Sequence, residues 1–222
     1  MLHAINPLYS LSGLAVGLLV GFTGVGGGSL MTPLLVLLFG IHPSTAVGTD
    51  LLYAGLTKIS GSAVHSYNKA VEWVVVRRLA LGSAPAAALS LLALSWIGQG
   101  SKSTSHVITT TLGFALLMTA LTLLFRKWLI AHYGRALEGA SERQIARLTT
   151  GLGAALGVLV TISSVGAGAL GVTALIMLYP KMPTVRIVGS DIAHAVPLTL
   201  IAGAGHWWLG SARSTGCCWC RC

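Results

Sequence analysis

The chain of 222 residues is 54% hydrophobic and only 9% charged, with a mean hydropathy of +0.81. A soluble domain carries roughly 25% charged residues on the surface it shows to water, so this composition excludes a soluble globular fold and points to lipid as the solvent. The formal charge of +9 does not imply nucleic acid, because the basic residues sit in short loops between apolar runs, where they set membrane topology.

Six apolar runs follow one another: Leu8–Phe39, Ala46–Val64, Val74–Ile97, Ser105–Phe125, Leu148–Tyr179 and Ile187–Leu209. Each is read as helix, since helices satisfy their own backbone in lipid. The first run has no basic segment before it and is expected to be a membrane element, not a cleaved leader. The first and fifth would each make about 48 Å of helix, against a hydrocarbon core of roughly 30 Å. Both carry a glycine cluster near the middle, Gly24–Gly28 and Gly166–Gly171, so broken helices are expected there.

The expected fold is therefore an all-α polytopic membrane protein with two homologous helical repeats and glycine-broken helices. The repeat is legible directly. Gly17-Leu18-Leu19-Val20 recurs as Gly157-Val158-Leu159-Val160, and Val25-Gly26-Gly27-Gly28-Ser29-Leu30 as Val165-Gly166-Ala167-Gly168-Ala169-Leu170. One inserted residue later, Val47-Gly48-Thr49-Asp50 matches Val188-Gly189-Ser190-Asp191, and His65 matches His206. The reading divides the chain into a first repeat (1–130), a cytoplasmic linker (131–147), an incomplete second repeat (148–210) and an atypical cysteine-rich tail (211–222). An even number of elements per repeat predicts parallel repeats about an axis along the membrane normal, unless a re-entrant hairpin changes the parity.

Charge orients the chain. Lys69, Arg77, Arg78, Arg126, Lys127, Arg135, Arg143 and Arg147 fall on one side, against Lys102, Lys181 and Arg186 on the other. The excess places the N-terminus, the His65–Trp73 loop and the Arg126–Arg147 linker in the cytoplasm. Trp73, Trp96, Trp128, Trp207 and Trp208 fall near helix ends, as interfacial aromatics do.

Candidate binding residues cluster at the two breaks. Gly24, Gly26, Gly27 and Gly28, flanked by Thr23 and Ser29, and Gly166 with Gly168 in the second copy, would expose backbone N–H groups and a helix N-terminus. Such ends attract anions; close helix packing through small residues is the competing role. Asp50 and Asp191, two of five acidic residues, follow Thr49 and Ser190 near helix starts. Ionisable groups at membrane depth are costly and often functional, while helix capping is the ordinary use of Asp there. Lys58 lies in the same run as Asp50, with Thr199 in its place in the second copy; it is a candidate contact for a negative solute or a snorkelling side chain. His65 and His206 are expected at the cytoplasmic ends of their helices. Gly166–Gly171 fits a dinucleotide fingerprint but lacks the strand and βαβ unit that give it meaning. Cys217, Cys218, Cys220 and Cys222 lack metal-ligand spacing; the abrupt change of composition is expected of a shifted reading frame or a damaged gene end. No metal or cofactor is expected, and no nucleophile–base set marks an enzyme.

Gly21-Phe22-Thr23-Gly24-Val25-Gly26-Gly27-Gly28 followed by Pro33, then His42-Pro43 and Ala46-Val47-Gly48-Thr49-Asp50, resembles the TauE/SafE family of sulfite and sulfonate exporters. The likeness covers about Leu8 to Gly210. It implies paired membrane halves and export of small sulfur-containing or organic anions across a bacterial inner membrane. Two helices of the family's second half are missing, and Gly171-Val172-Thr173 stands where the first copy has Met31-Thr32-Pro33. The expected function is secondary transport of a small anion, with proton coupling through Asp50 or Asp191. An anion channel is the nearest alternative, and a non-transporting subunit, alone as a homo-oligomer or with a partner membrane protein, is the next.

Overall fold

The computed structural model describes residues 11, 13–19, 28–97, 102–137, 141–166 and 168–219. All secondary structure among them is helical. After α1 (residues 13–19) come α2 (Gly28–Leu37), α3 (Pro43–Tyr67), α4 (Trp73–Ile97), α5 (Lys102–Leu124), α6 (Arg126–Leu137), α7 (Glu142–Ser163), α8 (Ala169–Leu178) and α9 (Thr184–Trp219). Helices α4, α5, α7 and α9 are long and apolar enough to cross a membrane. With α3, 25 residues long, they make the multi-pass bundle.

Local chemistry sets the boundaries. α3 starts after His42 with Pro43 in its first turn, where the missing N–H costs nothing. α7 opens on a capping box in which Ser141 and Gln144 satisfy each other's backbone N–H. It closes on Ser164 in the left-handed region at φ 60°. Gly166 and Gly168 follow at φ 118° and 129°, a path that side chains strain. The expected break in the fifth run is thus present. Its counterpart in the first run, residues 20–27, lies outside the described residues, and α2 begins at Gly28 immediately after it.

The break turns the chain back. Tyr179, just past α8, has its hydroxyl 2.9 Å from Thr149 Oγ1 near the start of α7. A Cβ on Gly171, near the start of α8, would sit 3.4 Å from Leu156 Cδ1, further along α7. α7 and α8 therefore form an antiparallel hairpin. α8 has 10 residues, about 15 Å of helix and half the membrane thickness. It is a re-entrant element, and it alters the parity.

Two glycine-lined seams hold the bundle. In α3 against α9, Gly48 faces His206, Gly55 faces Thr199 and Leu200, Gly61 faces Ile192, and Gly189 faces His65. One index rises as the other falls, so the two motif-bearing helices run antiparallel. This antiparallel run corrects the parallel arrangement expected from an even element count. In α4 against α7, Gly153 meets Leu79 and Gly157 meets Ser83 and Ala86, a parallel pair. The core between the seams is built from Val47, Leu51, Ala87, Leu94, Val160 and Leu198, with other small apolar residues.

The charged loops gather at one face. Arg186 Nη1 lies 3.5 Å from Glu72 Oε2, and Arg78 Nη2 lies 3.6 Å from Glu142 Oε1. Arg78 Nη1 also donates to the Tyr179 hydroxyl at 3.3 Å. Lys181 and Arg186 therefore share a face with residues 68–72 and 141–142, which corrects the expectation that they lie opposite. The other face carries His42 and Ser105, whose Nε2 and Oγ are 2.8 Å apart. His206 is corrected likewise. Far from ending a helix beside His65, it is buried near the opposite face and its Nε2 donates to Thr161 O at 2.8 Å. Nor does the helix stop where the composition changes at Ser211, since α9 continues to Trp219.

Candidate functional site

Gly28 of α2 and the break that leads into α8 meet within the bundle. Gly28 packs against Ser164 so tightly that an added Cβ would collide with the Ser164 carbonyl oxygen and come within 2.9 Å of its Oγ. This sets Gly28 against the break after α7. Ser164 Oγ and Thr161 Oγ1 are buried there without hydrogen-bond partners.

Asp50 lies beside this junction. It is fully buried, and its Oδ2 accepts a 2.7 Å bond from Thr32 Oγ1 on α2. Its Oδ1 is buried without a partner, although Ser164 is close enough to act on the carboxylate. Asp191 occupies the corresponding place in the second half. It is 2% exposed, its Oδ1 has no partner, and it lies against Gly171, where any side chain would strike that oxygen. Both residues sit about two turns inside their helices, which start at Pro43 and Thr184. The capping role is therefore overturned for both: α3 is capped at His42.

Lys58 of α3 acts electrostatically on Asp191 first and on Asp50 second. It forms no ion pair within 4.0 Å among the described residues. One cation thus acts on two buried acids without a direct ion pair to either among the described residues. Buried charges are stable only when compensated, and an uncompensated balance of this kind is a functional feature at membrane depth.

Of the expected site residues, Gly28, Asp50, Lys58 and Asp191 come together around the two helix starts, with Ser29 buried beside Gly28. Gly166 and Gly168 shape the break through their backbone. Thr49 is exposed, and Ser190 is occupied elsewhere, donating to Arg186 O and accepting from Glu72 N. Thr23, Gly24, Gly26 and Gly27 lie outside the described residues. Thr199, in the place of Lys58, bonds to its own backbone at Ala195 and Val196.

Four members escaped the sequence reading, among them Thr32, whose hydroxyl holds Asp50. Ser164 stands just ahead of the second glycine cluster. His194 follows Asp191 by three residues, one helical turn, which is a spacing that sets an acid and an imidazole on one face. Ser83 pairs with His194, Oγ to Nε2 at 2.8 Å; as one serine in an apolar run it carried no signal of its own. At the charged face a separate cleft of about 430 Å³ is lined by Ile145, Leu178, Tyr179, Lys181, Met182 and Arg186, among others.

Comparison with known proteins agrees with this architecture. The chain is 40% identical over 203 residues to the "Probable membrane transporter protein YjnA" of Bacillus subtilis (strain 168), a match spanning 90% of this chain and 79% of that protein. It is 26% identical over 198 residues to the "Probable membrane transporter protein YdhB" of the same organism, covering 86% and 74%. A "Probable membrane transporter protein" of Xylella fastidiosa (strain 9a5c) is 28% identical over 108 residues, or 49% and 40% of the two chains. No solved structure matches. The profile of the sulfite exporter TauE/SafE family matches residues 9–215, and the chain belongs to that family of membrane transporters.

Proposed function

We propose that the protein is a secondary transporter of a small anion, with sulfite or an organosulfonate as the substrate class, working in the bacterial inner membrane. The observation that carries this reading is the packing of Gly28 against the buried hydroxyl of Ser164, at the break that leads into the N-terminus of α8, inside the bundle and beside Asp50. A helix N-terminus presents unpaired N–H groups and a partial positive charge. An unpaired buried hydroxyl costs about 1–3 kcal/mol, a cost that a bound oxyanion would remove. Lys58 supplies a full positive charge nearby, and Thr32 holds Asp50 to one side.

The inverted crossing of α3 and α9 supports alternating access. Two similar halves of opposite direction can exchange roles as one rocks against the other. Solute would then reach the centre from either face in turn, and the basic cleft holding Lys181 and Arg186 would raise local anion concentration at one mouth.

Flux in proteoliposomes tests the proposal. Purified protein should move sulfite or short sulfonates with saturation at rising concentration, and carboxylates more slowly. Large non-saturating conductance would make it a channel. No flux of any anion would overturn the reading.

A further inference from the structure

The anion site leaves one buried cluster unused. His194 is 1% exposed, its Nε2 lies 2.8 Å from Ser83 Oγ on α4, and its Nδ1 is buried with no partner. One turn earlier on α9, Asp191 has a buried oxygen in the same condition. Resting on the anion-transport reading, we propose that the Asp191–His194 pair carries the proton that accompanies the anion, with Ser83 as its positioning residue, while Asp50 serves the anion site.

Charge balance supplies the first reason. With Asp50 and Asp191 ionised and Lys58 protonated, the centre has one net negative charge. An incoming anion would add a second in a medium of low dielectric, where uncompensated charge is strongly disfavoured. A proton taken up with the anion restores the original balance. The group that receives it must be inside, ionisable and free of a fixed salt bridge. Among the described residues, Lys58 of α3 is the charged group that acts on the His194 ring from another element, and α4 offers it the neutral Ser83.

Hydrogen-bond chemistry supplies the second. A buried hydroxyl proton needs an acceptor, and for Ser83 that acceptor is His194 Nε2, which leaves the ring proton of neutral imidazole on Nδ1. On protonation Nε2 gains a proton and donates it to Ser83 Oγ, because a hydroxyl serves as donor or acceptor by rotation. Ser83 thus accommodates both charge states without moving the ring. In the proposed step the Nδ1 proton passes to the Asp191 carboxylate, one turn earlier on α9, which becomes the neutral acid as imidazole returns to its neutral form.

The halves differ at this point. The place of His194 in the first half is taken by Tyr53, which is 57% exposed and faces away from the core. Asp50 has Thr32 as its partner instead of an imidazole. Among the described residues, the acid and imidazole one turn apart in the bundle core belong to the second half.

The test uses the full chain in liposomes loaded with a pH-reporting dye, with labelled sulfite as the probe. Wild-type protein should move protons together with sulfite, at a rate that depends on pH. In His194→Gln and Asp191→Asn the sulfite flux that remains should no longer move protons. Ser83→Ala should keep coupling but shift the midpoint of the pH profile, a change that a purely structural serine would not produce. Should His194→Gln fail to fold, the Asp191 and Ser83 variants carry the same test. Sulfite flux without proton movement in the wild type, or unchanged coupling in the folded variants, overturns the proton role and leaves anion transport standing. Absence of sulfite flux from the wild type overturns both.

Discussion

At the scale of single residues, Asp50 is the most consequential side chain. Thr32 Oγ1 holds one carboxylate oxygen at 2.7 Å, and the other faces the Gly28–Ser164 junction without a partner. Asp50→Asn keeps a side-chain acceptor and the shape while removing the charge. We expect it to insert and purify normally but to lose sulfite flux by about tenfold or more, which corresponds to ~1.4 kcal/mol of barrier. Wild-type flux at matched protein amounts would remove Asp50 from the site. Thr32→Val should instead act on stability, because it leaves a buried carboxylate without its donor. Thermal unfolding in detergent should show a loss of about 1.5–3 kcal/mol, the range for hydrogen bonds to charged groups.

Among the elements, the α4–α7 seam sets what the second half can do. Gly82 meets the Thr150 carbonyl so closely that any Cβ collides with backbone, and Gly153 meets the Leu79 carbonyl in the same way. Gly82→Leu must push the helices apart and should cost about 3 kcal/mol or more, together with loss of flux, since α7 ends in the break that forms the site. Gly151 lies on the same helix with nothing within 4 Å of an added Cβ. Gly151→Ala should stabilise by ~0.5–1 kcal/mol, as alanine does within a helix, and leave flux unchanged. Comparing the two by thermal unfolding separates seam packing from helix propensity. α9 is the axis of the assembly: 61% of its membrane window is buried, against 22–33% for the other three spans. It faces α3, α4, α7 and α8, which is why both acid and imidazole chemistry fall on it.

For the whole molecule, the re-entrant α8 decides the topology. It brings Lys181 and Arg186 to the face that already holds Lys69, Arg77, Arg78, Arg126, Lys127, Arg143 and Arg147, with Lys102 and, late in α9, Arg213 toward the other. By the positive-inside rule, the Lys181 face is expected to be cytoplasmic. In a background with the four native cysteines replaced, Asn68→Cys and Lys181→Cys should both be protected from an impermeant thiol reagent in intact cells, and Ser103→Cys should react. Labelling of Lys181→Cys from outside with Asn68→Cys protected would refute the hairpin arrangement.

Much of this was legible in the sequence, because lipid imposes simple rules. Composition established a helical membrane bundle, since backbone in hydrocarbon must bond to itself. The glycine cluster at Gly166–Gly171 marked a break that the positive φ of Gly166 and Gly168 realises. The pairing of Asp50 with Asp191 singled out two acids that are both buried. Direction was not legible, because hydropathy does not distinguish a short helix that turns back from one that crosses. The contacts of Tyr179 with Thr149 and of Gly171 with Leu156 reveal the hairpin, and the Arg186–Glu72 pair the side on which Lys181 lies. Partnership was hidden for a similar reason. Ser83 and His194 are 111 positions apart and Gly28 and Ser164 still further, so no local pattern links them. Their meeting depends on helices crossing at glycine notches, which belongs to tertiary packing alone.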